Sequence, residues 1–153
     1  MSNDMVLQKL EGGLLTITMN RPERKNALNP DMVRGLVEAA RRAADDPEVR
    51  AVLFKGAGGS FCVGGDVKSM AAGRAPLPFE QKLANLRRGM EVSRILHQMP
   101  KPVVAQLDGA AAGAGLSMAL SCDLRIASES CKITTAFAKV GFSGDYGGTY
   151  FLT

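Results

Sequence analysis

The stretch Gln106–Ser121, QLDGAAAGAGLSMALS, decides how this chain is read. An apolar, strand-like segment, Val103–Leu107, runs into small residues from Gly109 to Gly115, and these lead into an apolar helical segment, Leu116–Leu120. A loop so poor in side chains lets another molecule approach the backbone itself. A helix that opens at its end aims unpaired N–H groups at whatever lies there. That anatomy suits a phosphate, a carboxylate or a developing oxyanion. Close packing of strand on helix would use the same small residues, and no Gly-Lys-Ser/Thr follows to make a phosphate loop.

Working outward, a second Gly-rich turn, Gly56–Asp66 (GAGGSFCVGGD), also stands between a strand and a helix. Leu14–Met19 alternates in polarity and reads as a strand, paired with Met5–Leu10 across Gly12-Gly13 as a hairpin. Asn29-Pro30 reads as a cap with proline at the first helical position, opening a helix through Asp45 that carries Val33, Leu36, Val37, Ala40 and Ala43 on one face. Ala51–Phe54 is a short apolar strand expected to be buried on both faces. Asp66 is placed to cap a helix over Val67–Ala72. Phe79, Leu83, Leu86 and Met90 define a second long helix that stops before Pro100, with His97 packing near its end. Asp123–Ala127 and Lys132–Thr135 read as further strands, and an apolar helix begins at Tyr150–Leu152. The alternation of strand and helix argues for an α/β class, and periodicity alone suggests a doubly wound sheet.

Composition narrows the function classes. The 153 residues, 46% of them hydrophobic, suffice for one domain with its own core. No run approaches membrane-spanning length and no basic-then-apolar leader opens the chain, so a cytoplasmic protein without membrane contact is the expectation. Three cysteines without C-x-x-C spacing and a lone His97 argue against a disulfide framework or a metal centre. The net charge of +4 comes from scattered basic pairs, not from the concentrated basic face that nucleic acid demands.

The segments NRPERKNALN, FKGAGGSFCVGGDVKSM, KPVVAQLDGAAAGAGLSMALSCDLRIASES and FAKVGFSGDYGGT resemble the crotonase superfamily (enoyl-CoA hydratase/isomerase), in the family's order and over nearly the whole chain. Within it, AAGAG and the AFAK…DYGGT ending are most similar to ring-1,2-epoxyphenylacetyl-CoA isomerase-like members. The resemblance implies the crotonase spiral of repeated β-β-α units over residues 1–153, a crotonase-type acyl-CoA-binding domain. It implies that a C-terminal helical part is missing from this chain, which would then expose apolar surface. It also implies a homotrimer or dimer of trimers for the complete protein. An acyl-CoA thioester would be the substrate, with coenzyme A carried as part of it and no other cofactor.

By the same resemblance, the amides of Gly65 and Ala114 form an oxyanion hole, where two fixed donors act on the charge of a thioester enolate. Gly65, Asp66, Val67 and Lys68 lie along the acyl and pantetheine path, Lys25 and Ala27 near the adenine and phosphate end, and Phe137 beside the acyl group. Two glutamates that activate water in the family's hydratases are replaced by Ser117 and Phe137, which disfavours hydration. Asp145 falls where the isomerase and dehalogenase branches keep an aspartate, although sequence pattern alone makes it a turn residue or helix cap. Dehalogenation would want a tryptophan and a histidine base, and this chain has no tryptophan and a single histidine at a helix end. Isomerisation by one carboxylate is the favoured chemistry. The alternatives are an enoyl-CoA hydratase, an aryl-CoA dehalogenase-like enzyme, and a non-catalytic acyl-CoA-binding member.

Overall fold

The computed structural model describes residues 5–66 and 77–153. Two glycines set its first motif. β1 (Val6–Glu11) and β2 (Leu14–Met19) pair antiparallel, from Val6 opposite Met19 to Glu11 opposite Leu14. Gly12 and Gly13 both have positive φ, 55° and 85°, as the tightest hairpin turn requires. The carbonyl of Gly13 accepts from Arg50 N–H (2.7 Å) and Ala51 N–H (3.1 Å), tying the hairpin tip to the next strand.

α1 (Pro30–Asp45) begins as its sequence requires, with Asn29 Oδ1 accepting from Met32 N–H at 2.8 Å. Its buried face is Met32, Leu36, Val37, Ala39, Ala40 and Ala43. At its other end Lys101 Nζ donates to the carbonyls of Ala43 and Asp46, both at 2.7 Å, where a cation meets the negative end of the helix dipole. Val33, expected in the core, is only half-buried because it faces a cavity.

β3 (Ala51–Gly56), β4 (Val103–Leu107) and β6 (Leu124–Ala127) add to β2 in parallel, giving the order β1-β2-β3-β4-β6. In a doubly wound sheet the strand order reverses at a switch point. Here it runs one way from edge to edge, so the doubly wound expectation is corrected. The reason lies in short second strands that leave the main sheet. β5 (Ala110–Ala112) pairs with β7 (Lys132–Thr134) in a sheet of its own, and isolated bridges Cys62–Ala111 and Leu28–Gly65 extend that layer. Two strands followed by a helix recur as β1-β2-α1, as β4-β5-α3 (Ala114–Leu120) and as β6-β7-α4 (Gly148–Leu152). Between the first two, β3 is followed by the Cys62 bridge and then by α2 (Phe79–Gln98). This is the repeated β-β-α arrangement in an α/β fold.

Three expectations need correction. The run Gly109–Gly115 is not all loop, since Ala110–Ala112 forms β5 and the helix opens at Ala114, two residues before Leu116. β3 is buried on one face only, through Val52 and Phe54, while Ala51 and Leu53 are half-covered. Phe79 and Leu86 on α2 stay exposed, because that helix buries its second half, from Gly89 to Leu96. The helix expected over Val67–Ala72 lies outside the described residues. His97 does pack at its helix end, edge-on to Phe151 at 5.1 Å and Tyr150 at 6.0 Å.

The core holds Phe54 edge-on to Phe61 (5.2 Å) among Leu15, Ile17, Met19 and Met118. Close packing of strand on helix is real at Gly115, where a Cβ would stand 2.3 Å from the Cys62 carbonyl. By contrast, edge strand β6 leaves Leu124 (61%) and Ile126 (65%) exposed, and β7 leaves Ile133 (56%) so. An apolar sheet edge is a template for association. The isolated chain is therefore expected to self-associate in sedimentation velocity, and the double variant Leu124→Lys/Ile126→Lys to sediment as a smaller species. A wild-type chain that stays monomeric at all concentrations would count against this.

Candidate active site

Two segments meet at the site. In the first, residues 62–66, nearly every amide is committed to the protein. Cys62 N–H donates to the Ala110 carbonyl (3.0 Å), Val63 N–H to Lys25 (3.2 Å), Gly64 N–H to the Cys62 sulfur (3.4 Å) and Asp66 N–H to Leu28 (3.0 Å). Gly65 N–H has no protein acceptor among the described residues. Successive amides of extended chain point to opposite sides. The Gly64 carbonyl and Asp66 N–H both reach Leu28, so Gly65 between them turns its own amide away.

In the second segment Ala112 N–H donates to the Cys62 carbonyl (2.9 Å) and Gly113 N–H to Thr134 (3.1 Å). Ala114 then opens α3, where an N–H has no carbonyl one turn back. The segments approach closely at Gly64, where a Cβ would stand 3.0 Å from the Ala112 carbonyl and 3.3 Å from Ala114 N. Gly65 and Ala114 line one cavity of about 850 Å³, and Asp145 lines it too. A second cavity of about 590 Å³ shares Gly65, Leu86, Ala114 and Asp145 with the first.

Asp145 is both a turn residue and a cavity residue. Its carbonyl accepts from Gly148 N–H at 2.9 Å, closing a turn with positive φ at Tyr146 (50°) and Gly147 (81°). It does not cap α4, whose N-cap is Gly147. Burial holds its carboxyl above the usual carboxylate range. Phe137 and Phe142 line the same cavity. Ser117 is turned into its own helix, Oγ donating to the Gly113 carbonyl at 3.3 Å.

Lys25 and Ala27 line the cavity near Arg24 and Glu23. Lys25 (φ 49°) and Asn26 (φ 57°) both adopt the left-handed conformation that disfavours side chains. Asn26 over-determines it: fully buried, its Oδ1 accepts from Arg21 N–H (2.9 Å) and its Nδ2 donates to the carbonyls of Ala57 (3.0 Å) and Ser60 (2.8 Å). Asp66 lines the cavity as well, and Arg21 Nη1 donates to its Oδ2 (2.8 Å) and to the Ala27 carbonyl (3.0 Å). Burial pushes the Cys62 thiol up to about 12, so it stays neutral, donating to the Asn26 carbonyl at 3.1 Å. Among the described residues no cluster of His, Cys, Asp and Glu could hold a metal ion. Val67 and Lys68 lie outside the described residues.

The sequence model of the enoyl-CoA hydratase/isomerase family matches residues 9–153. The chain belongs to that family. It is 38% identical over 152 residues to the 1,2-epoxyphenylacetyl-CoA isomerase of Escherichia coli, covering 97% of this chain and 57% of that protein. It is 39% identical over 150 residues to a probable enoyl-CoA hydratase of Mycobacterium tuberculosis, with the same two coverages, 97% and 57%. The crystal structure of an enoyl-CoA hydratase from Polaromonas sp. JS666 superposes with a TM-score of 0.87 at 35% identity, over 97% of this chain and 57% of that one. The chain thus has the crotonase fold and spans about 57% of the length of these relatives.

Sequence reasoning missed Arg21, Asn26 and Tyr146 as parts of this candidate site. Arg21 and Asn26 stand in NRPERKNALN, where their neighbours Lys25 and Ala27 drew notice. Nothing in a lone sequence marks an asparagine that will be fully buried. The Arg21–Asp66 pair is largely buried, with side chains 15% and 8% exposed, so removing one partner takes from the other its nearest opposite charge. Arg21→Met is expected to lower the urea-unfolding free energy by about 3–5 kcal/mol. Asp66→Asn, which keeps an acceptor oxygen for Arg21, should cost less. Equal and small losses for both would show that the pair does not hold this loop.

Proposed function

We propose that this chain carries the thioester site of a CoA-ester isomerase that moves a proton with one carboxylate. The supporting observation is that the Gly65 and Ala114 amides, left without protein acceptors, share a cavity wall with Asp145. The thioester oxygen would accept from both amides. Coenzyme A would extend toward Lys25 and Ala27 in the first cavity, with its pantetheine along Gly65–Lys68. The acyl group would extend beside Phe137 and toward the second cavity.

The chemistry follows from the donors and the base. Asp145, as carboxylate, takes a proton from a carbon activated by the thioester. The electron pair of that C–H bond moves onto the thioester oxygen, where two backbone dipoles stabilise the enolate. The same carboxyl then returns the proton to another carbon of the framework, and the enolate collapses. No water, oxidant or metal is consumed. A partly desolvated carboxylate above its usual pKa is a stronger base than a solvated one. Hydration is disfavoured because Ser117 is bonded to its own helix and Phe137 carries no exchangeable proton. An assembly of three copies would give the exposed β6 face a partner.

Asp145→Asn keeps the shape but cannot accept the proton. In an assay following 3-enoyl to 2-enoyl thioesters, with aliphatic and aromatic acyl-CoA esters as a panel, its kcat should fall on the order of 10²–10⁴-fold while acyl-CoA binding persists. In the parent, kcat/KM should rise with pH through a step above the ordinary carboxylate range, because the base is lost when a carboxyl of raised pKa is protonated. That step should vanish in Asp145→Asn. Rapid hydration of crotonyl-CoA would move the assignment to a hydratase, and binding without turnover across the panel to a non-catalytic member.

Ala114→Pro removes one of the two amide donors at a helix position where proline fits. Turnover should drop by about 10²-fold or more with the fold intact by circular dichroism. Undiminished turnover would take Ala114 out of the mechanism.

A further inference from the structure

The second cavity contains a polar group that the proton shuttle does not use. Tyr146 is 7% exposed and lines that cavity beside Asp145, Leu28 and Val33. Its hydroxyl has no hydrogen-bond partner among the described residues. The ring is buried while the hydroxyl keeps access to the cavity, so a ligand that fills the cavity must pair the hydroxyl or strip it of water. Its position is supported from two sides. The backbone at Tyr146 adopts a left-handed φ of 50°, uncommon for a bulky residue and costly unless its surroundings hold it. Across from it α2 has Gly89 in mid-helix, a residue that weakens a helix, where a Cβ would stand 2.8 Å from the Tyr146 hydroxyl and 3.0 Å from Val33 Cγ1. Two unfavourable local choices thus combine to bring one hydroxyl to a cavity that Arg34, Glu38, Arg41, Asn85 and Arg88 also line.

We propose that Tyr146 is a specificity-determining hydrogen-bond donor, selecting acyl groups that carry an oxygen (hydroxyl, oxo or ether) beyond the thioester. The inference rests on the reading of Gly65 and Ala114 as the thioester site, which places the acyl group at the wall shared by the two cavities. Burial, and then the charge of Asp145 next door, hold the phenol above its ordinary range, so it remains protonated and able to donate wherever the enzyme works. It is a donor for recognition and takes no part in moving the substrate proton. A site that offers such a donor discriminates between acyl groups with and without the matching oxygen, because a purely apolar chain leaves the hydroxyl unpaired.

The test is calorimetric binding of hexanoyl-CoA and of hexanoyl-CoA bearing a hydroxyl or oxo group at its third, fourth or fifth carbon, to the parent, to Tyr146→Phe and to Gly89→Ala. In the parent at least one oxygenated ester should bind about tenfold more tightly than hexanoyl-CoA. Tyr146→Phe should erase that preference while leaving hexanoyl-CoA affinity unchanged, since the hydroxyl has no hydrogen bond to lose among the described residues. Gly89→Ala, whose new methyl displaces the hydroxyl, should erase it too. A parent that binds all the esters equally, or a preference that survives in Tyr146→Phe, overturns the inference and leaves the thioester site standing. Failure to bind any of the esters, coenzyme A portion included, overturns the thioester site and this inference with it.

Discussion

The fixed direction of two backbone amides, Gly65 and Ala114, without acceptors among the described residues, is the constraint on which the candidate site depends. A single unpaired N–H in a loop could rotate toward a neighbour or toward water. Here Gly65 cannot, because Leu28 takes the carbonyl before it and the amide after it. Ala114 cannot, because its direction is that of α3, and α3 is pinned through Gly115 against the Cys62 carbonyl. The secondary layer of short strands exists in this sense to aim donors. The Leu28–Gly65 bridge takes the groups on either side of the Gly65 amide, and Thr134 takes the Gly113 amide just before Ala114. Orientation is set by the fold, which is what the proposed oxyanion role of these donors would require.

Much of this was legible in the sequence, for identifiable reasons. The hairpin was readable because glycine pairs have one main use between alternating strands. The first long helix was readable because Asn29-Pro30 is an unambiguous start and its apolar spacing is regular. Gly65, Ala114 and Asp145 came from a resemblance, and the structure brings all three to one cavity. Phe137, Lys25, Ala27 and Asp66 join them there. What stayed hidden is what depends on long-range contact. The second layer of strands is three residues long at Ala110–Ala112 and Lys132–Thr134, too short for periodicity to announce. The exposed stripe at the start of α2 looked like core because Phe79, Leu83 and Leu86 keep helical spacing, and spacing cannot say whether a partner lies opposite. Arg21 and Asn26 act through carbonyls more than thirty residues away in one case and a carboxylate in the other.

Electrostatics sort the site into groups that stay charged and groups that do not. The Arg21–Asp66 pair is buried yet mutually compensated, and its value is positional: it ties residue 66 to the Ala27 carbonyl and so to the loop that presents Lys25. Asp145 has no counter-ion among the described residues, and burial raises its pKa, a combination suited to the proton transfer proposed for it. Cys62 and Tyr146 sit nearby with their protons held firmly by burial. One exchangeable group among several fixed ones is an arrangement that limits where a proton can go.

The burial of Cys62 has a consequence for how the protein ages and breathes. Its sulfur is shut beneath the very loop that aims Gly65, accepting from Gly64 and donating to Asn26. Oxidants and alkylating reagents act on accessible thiolate. They can therefore reach this sulfur only in molecules whose loop has opened, and each modified thiol would then be unable to close the loop again. Damage at this cysteine would then report past openings, in the same molecules whose Gly65 amide had lost its aim.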